Sequence, residues 1–404
     1  MKSFEGRYPN KMFKEVAKYI LENGDEIAPR GQPTKEVCQV ANVWTEPVKS
    51  VITLPRRKAN PFFTLFESLW IMGGRADADS VCYYNSNLKT FLDEDDKEFN
   101  APYGRRIRHW GKHKNILDNL VFMQSHYTKT YVDFDQFKDC YELLKNDKDT
   151  RQAVISLWVP FFDNSTIKTN DRPCNDLVFL KIRNNKLNMT VVNRSNDFLW
   201  GLYSTNIVQF SMMQRILASL LCIEVGIYTH FSDSLHIYHT RDTVSEDILN
   251  APYEFDVYDY VTPYDLMSEY DGLKDFDKKL SDFFRYEENI RSHKVYIPLD
   301  NYEEMENSLK PFLWSSLLIC QAYVKHKEKK YLSSLTDIIK AHSLGNEDFA
   351  ISCMEFVMRK YQLEDSKNNT DYSNDLFLGS IKNYLKIMYT DDQVKEITRY
   401  IESH

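Results

Sequence analysis

The chain of 404 residues, 43% hydrophobic and 14% aromatic, can build a sizeable core; this excludes global disorder and leaves room for one large domain with an appendage, or for two domains. Its formal net charge of −8 argues against a protein that coats nucleic acid through a basic surface, while a local basic site for phosphate stays open. Seven cysteines without CxxC pairs, a polar N-terminus and no apolar run long enough for a bilayer lead us to expect a reduced, cytoplasmic protein without zinc cluster or membrane segment.

In chain order, residues 10–23 read as a helix with Phe13, Val16, Ala17 and Ile20 on one face. Residues 30–34, with Gly31 and Pro33, read as an exposed loop. Asn60-Pro61 opens a second helix that runs through Met72 and closes at Gly73-Gly74. Glu67 lies inside this apolar helix, where an unpartnered carboxylate is costly; it is either partnered or functional, and a raised pKa suits it to moving protons. The acidic stretch 93–98 has no histidine beside it and reads as a solvated loop rather than a metal site. A strand is expected over Gln152–Val159. Asp176–Arg183 and Lys186–Asn193 carry β-formers, and Asn184-Asn185 between them supplies a hairpin turn. Ile207–Cys222 is a strongly apolar helical segment ending near Gly226, and Ile227–Phe231 and the segment around His236 follow. After about Pro263 the character changes to helices over 302–325, 330–342, 346–361 and 373–389, separated by polar stretches such as 364–371. We therefore expect a catalytic part over 1–262 and a helical extension over 263–404, the latter a stabilising cap or a surface for a protein partner.

The hairpin places Cys174 at the open end of one strand beside Arg194 at the open end of the other. A guanidinium next to a thiol stabilises the thiolate, which a nucleophilic cysteine needs.

Pro173-Cys174, Arg194-Ser195-Asn196-Asp197, Gly201, Asn206 and His236-Ile237-Tyr238 resemble the active-site signature of the thymidylate synthase family. In the family's phage-type branch, which makes 5-hydroxymethylpyrimidine nucleotides, the middle motif reads much as it does here, with Trp200-Gly201 shortly after. Upstream, Glu67-Ser68-Leu69-Trp70, Pro102-Tyr103-Gly104, Asp149-Thr150-Arg151 and Arg30-Gly31 resemble further family motifs, so that the likeness covers residues 10–260. It implies an α/β (α+β) fold, a large mixed sheet flanked by helices, in a homodimer with shared active sites. It implies dUMP and 5,10-methylenetetrahydrofolate as substrates and no metal. Cys174 would add to C6 of the pyrimidine, Glu67 would shuttle protons through water, and Tyr103 would assist removal of the C5 proton. Arg30, Arg194, Ser195 and, from the other subunit, Arg151 would bind phosphate. Asn206 would read the base, and His236 and Tyr238 the sugar hydroxyl. Asp197 and Gly201 would face the folate.

Several positions depart from the family pattern. Gln152 stands where a second arginine is usual. The interval from Gly201 to Asn206 is one residue longer than the family's, which leaves Thr205 as a rival base reader; an amide matches uracil and a carboxyl group cytosine. Asn175 replaces a histidine, and Lys89 stands where synthases hold a tryptophan over the intermediate. A wetter pocket favours addition of water over hydride transfer, hence 5-hydroxymethyl-dUMP and tetrahydrofolate as products. The alternatives are a true thymidylate synthase, a dCMP hydroxymethyltransferase and a catalytically idle nucleotide- or RNA-binding relative.

Overall fold

The computed structural model describes residues 1–54, 56–94, 96–110, 134–164, 169–251, 256–368 and 374–402. Its centre is a mixed sheet. The strands are β1 (Lys2–Gly6), β2 (Asp25–Ile27), β3 (Thr34–Trp44), β4 (Val154–Ser156), β5 (Asn175–Arg183), β6 (Lys186–Asn193), β7 (Asn196–Asp197) and β8 (Glu224–Tyr238). The main path runs β1-β3-β8-β6-β5-β4, with β2 on β3 and β7 on β8. The β6–β8 and β1–β3 pairs are parallel and the β3–β8 and β5–β6 pairs antiparallel, so the sheet is mixed as expected.

The local signals behave as the residue types dictate. Asn184 and Asn185 both take positive φ (53° and 56°), the turn whose twist matches a tight hairpin. Helix α1 (Pro9–Asn23) buries Phe13, Val16, Ala17 and Ile20. Helix α2 (Pro61–Met72) starts where the Asn60 side chain accepts from Phe63 N, and it ends at Gly73. Two expectations need correction. The strand expected over Gln152–Val159 is ordered as β only at Val154–Ser156, because Leu157 N and Trp158 N both turn onto Asp176 O and Asp163 accepts from Val159 N. The apolar helix after Asn206, here Ile207–Leu220, stops before Cys222. Cys222 is exposed at φ 52°, with Cys222 N on Ser219 O and Ile223 N on Ala218 O, a left-handed cap that turns the chain into β8.

Helices α3 (Ala78–Tyr84), α4 (Tyr103–Arg108) and α5 (Gln136–Asn146) precede the hairpin, and α6 is the Ile207–Leu220 helix. Beyond residue 263 come α7 (Leu273–His293), α8 (Tyr302–Lys327), α9 (Tyr331–Ser343), α10 (Glu347–Asn368), α11 (Asn374–Met388) and α12 (Asp391–Ile401). Thus α7 and α12 add to the expected helices, and α10 continues into the polar stretch to Asn368. One contiguous apolar core runs from the sheet through α2 and α6 into these helices. On α2, Phe62 packs on Tyr323 and Phe356, and Phe66 on Tyr84 and Phe284. Polar fasteners join the same regions: Arg359 donates to Ala59 O at 3.0 Å, and Arg291 bridges Asp79 and Glu287. The helix that carries Glu67 is therefore enclosed by the C-terminal helices. Among the described residues no helix is long and apolar enough to cross a membrane, and no group of His, Cys, Asp or Glu is arranged to hold a metal ion.

Candidate active site

Cys174 and Arg194 meet at the mouth of the β5–β6 hairpin. Arg194 N donates to Cys174 O at 3.1 Å, and its Nε donates to Pro173 O at 2.9 Å. Its Nη2 stands 3.9 Å from the Cys174 Sγ, with the guanidinium 5.5 Å from the Trp158 ring centroid. The pairing read from the hairpin is present, and Arg194 acts on the thiol in the direction expected, but burial opposes it. Burial pushes the Cys174 thiol above its ordinary value; Arg194 and Arg30 pull it down, while Asp171 and Asp176 push it further up. Desolvation outweighs the two arginines, which favours the neutral thiol.

Tyr103 is the hub beside this thiol. Its hydroxyl oxygen accepts from Cys174 N (3.2 Å), Asn175 N (3.3 Å) and Asn175 Nδ2 (2.8 Å), which seats the start of α4 against the start of β5. Burial raises its pKa well above the ordinary phenol value, so it is a neutral hydroxyl. The segment ahead of Cys174 is fastened by residues outside the expected site. Asp93 accepts from Thr169 Oγ1 (2.9 Å) and Asn170 N (2.8 Å), and Asp171 accepts from Ala101 N (2.7 Å). Asp93 of the acidic stretch is therefore a loop anchor as well as a solvated carboxylate.

A chain of buried amides runs behind the thiol. Asn175 Nδ2 lies 3.5 Å from Asn206 Oδ1, Asn206 Nδ2 donates to Asn196 Oδ1 at 3.2 Å, and Asn196 Nδ2 donates to Ser232 Oγ at 3.1 Å. His230 closes the chain, 2.6 Å from Asn193 Oδ1 and 2.7 Å from the Tyr228 hydroxyl; burial lowers its pKa to about 3, so it is neutral. Asn206 thus joins the residues beside Cys174, whereas the Thr205 hydroxyl is spent on Trp200 O at 3.1 Å. Gly201 lies against the same amides: a Cβ there would stand 2.4 Å from Asn196 Oδ1 and 3.1 Å from Asn206 Nδ2. Sequence reasoning missed Asn193 and His230 and gave Asn196 no role beyond its place in the motif; the signal of the first two is a polar side chain on strands that carry several β-branched residues.

Residues 198–206 are wound as a π-helix. The backbone kinks inside this segment at Tyr203 (φ −101°, ψ 42°), so it is wound differently from the regular helix that follows it. Asp197 caps it, its Oδ1 accepting from Leu199 N (2.8 Å) and Trp200 N (2.9 Å), with Oδ2 at 3.7 Å from Arg241. Trp200 stacks on Phe63 at 5.7 Å between centroids.

Glu67 projects from α2 toward α6, where Gln209 Nε2 donates to its Oε2 at 2.5 Å. Burial pushes its pKa up to about 8 against this one hydrogen bond, so at neutral pH it is mostly the neutral acid. His236 is paired across β7–β8 with Asp197, and its ring stands 5.0 Å from that of Tyr238. Burial lowers the pKa of His236, with Asp197 opposing it, and burial raises that of Tyr238. Arg30, exposed at φ 55°, bonds the Tyr238 side chain and biases the Cys174 thiol and His236. Ser195 is half-buried between Arg194 and Asn196. Lys89 is exposed on the short turn Ser86–Phe91. Arg151 is not brought to this cluster: it is exposed just before the edge strand β4, and among the described residues no hydrogen bond or ion pair holds it.

The half-buried Cys174 thus lies between the Arg194 guanidinium and the Tyr103 hydroxyl that its backbone N–H reaches, with the buried amides of Asn175, Asn206 and Asn196 behind it and the carboxyl group of Glu67, its pKa raised, on a neighbouring helix. The chain belongs to the thymidylate synthase family, whose sequence model, described as thymidylate synthase, matches residues 11–281. It is 41% identical over 238 residues, 59% of each chain, to the deoxyuridylate hydroxymethyltransferase of Bacillus phage SP01. It is 34% identical over 212 residues, 52% of each chain, to the protein of the same name from Pseudomonas phage M6. A thymidylate synthase of Clostridium beijerinckii is 30% identical over 163 residues, 38% of this chain and 57% of that relative. The chain thus spans between half and three-fifths of the length of these relatives.

Proposed function

We propose that the protein transfers the one-carbon unit of 5,10-methylenetetrahydrofolate to C5 of dUMP and adds water to it, giving 5-hydroxymethyl-dUMP and tetrahydrofolate for modified DNA. The observation that carries the reading is Cys174 held at its thiol beside Arg194 and at its backbone N–H by Tyr103, which Asn175 links to Asn206. Cys174 loses its proton as its sulfur bonds to C6 of the pyrimidine, which makes C5 nucleophilic. Asn206 retains a second N–H and a second lone pair for O4 and N3–H of uracil. Its orientation is set by Asn196, which takes the Nδ2 side. Glu67, held neutral by burial, supplies and recovers a proton at the pyrimidine O4 through water. Arg194, Ser195 and Arg30 gather on one side for the phosphate, and His236 and Tyr238 take the sugar hydroxyl. Arg151, apart from this cluster in its own chain, would complete the phosphate site of a second copy in a homodimer.

For the folate, the Asp197 Oδ2 and the face of Trp200 beside it are the residues that would hold the pterin. Lys89, exposed and polar where a shielding tryptophan would stand, supports water rather than hydride as the final reactant. The names of the two phage relatives support the same product class. Product analysis tests the reading: dUMP, dCMP and methylenetetrahydrofolate are supplied, nucleotides are read by mass spectrometry and the folate product by near-ultraviolet absorbance. Hydroxymethyl-dUMP with tetrahydrofolate is expected. Stoichiometric dihydrofolate with dTMP refutes hydroxymethylation, and a preference for dCMP refutes the base assignment. Lys89→Trp is expected to raise a dTMP side product.

A further inference from the structure

Asn175 and Asn193 stand directly opposite each other on the β5–β6 ladder, and both are fully buried. One half of each amide is committed: Asn175 Nδ2 to the Tyr103 hydroxyl at 2.8 Å, and Asn193 Oδ1 to His230 at 2.6 Å. The other halves, the acceptor Asn175 Oδ1 and the donor Asn193 Nδ2, have no protein partner and are not bonded to each other. Complementary buried atoms without partners are costly and rare unless a small polar molecule joins them. Water fits both, accepting from the donor and donating to the acceptor, with a lone pair left over. The pair lies one residue from Cys174, and Asn175 shares Tyr103 and Asn206 with the expected base site.

We propose that Asn175 and Asn193 hold the water that attacks the one-carbon unit, so that Asn175 is a positioning residue for hydration. The inference rests on the hydroxymethyl reading above. In the step, the water oxygen bonds to the exocyclic methylene carbon on C5, and the C=C pair moves through C5 into an enolate at O4. The enolate re-forms the C5=C6 bond as the Cys174 sulfur leaves C6 with its electron pair. The proton lost by the water balances the one that the released thiolate regains. No oxidant or reductant enters.

The test separates hydration from the earlier steps. Tritium release from dUMP labelled at C5 reports everything through proton removal; hydroxymethyl-dUMP reports hydration; added β-mercaptoethanol competes with water for the methylene carbon. In Asn175→Ala, which also removes the hydrogen bond to Tyr103, tritium release is expected to drop, and the ratio of water adduct to thiol adduct, which counts only turnovers past that step, is expected to fall about tenfold or more. Asn193→Asp, which removes the donor and retains an oxygen toward His230, is expected to lower the same ratio, and carries the test if the alanine variant does not fold. An unchanged ratio in both variants, or tritium release and product falling in parallel, overturns the inference while leaving hydroxymethylation intact. Wild type yielding dTMP and dihydrofolate overturns both.

Discussion

Glu67→Gln probes the chemistry and the folding cost of one carboxyl group. Burial raises the Glu67 pKa from 4.5 to about 8, so the folded chain retains a proton that the unfolded chain releases. Between these values the unfolded state binds fewer protons, and stability falls as pH rises, by about 1.4 kcal/mol per pH unit. The stability is intact below pH 4.5 and has fallen by about 5 kcal/mol once pH exceeds 8, as 1.4 kcal/mol per unit over that interval requires. Glutamine preserves the shape, does not ionise, and can accept from Gln209 Nε2 as the carboxyl group does. It also offers an N–H to Gln209 Oε1, a buried acceptor that lacks a partner. Urea unfolding at pH 4, 5, 6, 7, 8 and 9 should show the variant within about 0.5 kcal/mol of wild type at pH 4, where linkage nearly vanishes. It should then gain on wild type through pH 8 and level off. Turnover should fall about 100-fold or more with dUMP binding retained, since the proton path is lost. A stability difference independent of pH would mean that Glu67 ionises like a surface carboxylate, and the argument for its proton role would fail.

Cys174→Ser is expected to abolish turnover and preserve dUMP binding by calorimetry; retention of more than about a tenth of the wild-type rate would place covalent catalysis elsewhere. Cys222→Ser, in an exposed turn at φ 52°, is the control and should leave both activity and melting temperature near wild type. Asn206→Asp should shift the kcat/KM preference from dUMP toward dCMP by about tenfold or more, as loss of a buried base-edge hydrogen bond implies; a switch by Thr205→Asp instead would show that Thr205 reads the base. Gly201→Ala puts a methyl 2.4 Å from Asn196 Oδ1 and should lower stability by about 1–3 kcal/mol in urea titrations while raising KM for dUMP; a silent variant would detach Asn196 from base reading.

The elements legible in the sequence are those whose signals are local. The asparagine pair at 184–185 and the Asn60-Pro61 start each act within one turn, and both appear where expected. Strand β3 was not legible because its alternation breaks. Gln39 takes φ 57° and drops out of the pairing between Cys38–Ser234 and Val40–Ser232, so the buried face changes phase from Val37 to Val40. Helix α7 did carry a readable stripe, Leu273, Phe276, Leu280 and Phe283, hidden among charged neighbours. At the site, Cys174 and Arg194 were legible because one hairpin joins them. The contacts of Asn196 with Ser232 and of Asn193 with His230 depend on the parallel register of β6 and β7 against β8, which no local spacing encodes. The thiol's protonation depends on burial, and burial is a property of the whole fold.

The wide turn over 198–206 bears on how the site tolerates a change of length. A residue added to an ordinary helix rotates everything after it by about 100°, and α6, buried along its whole length, could not tolerate that rotation. A single widened turn absorbs the added residue upstream and leaves the phase of the following helix untouched. Deleting Ser204 is therefore expected to be absorbed around the kink at Tyr203 and to lower the melting temperature less than a one-residue deletion inside α6.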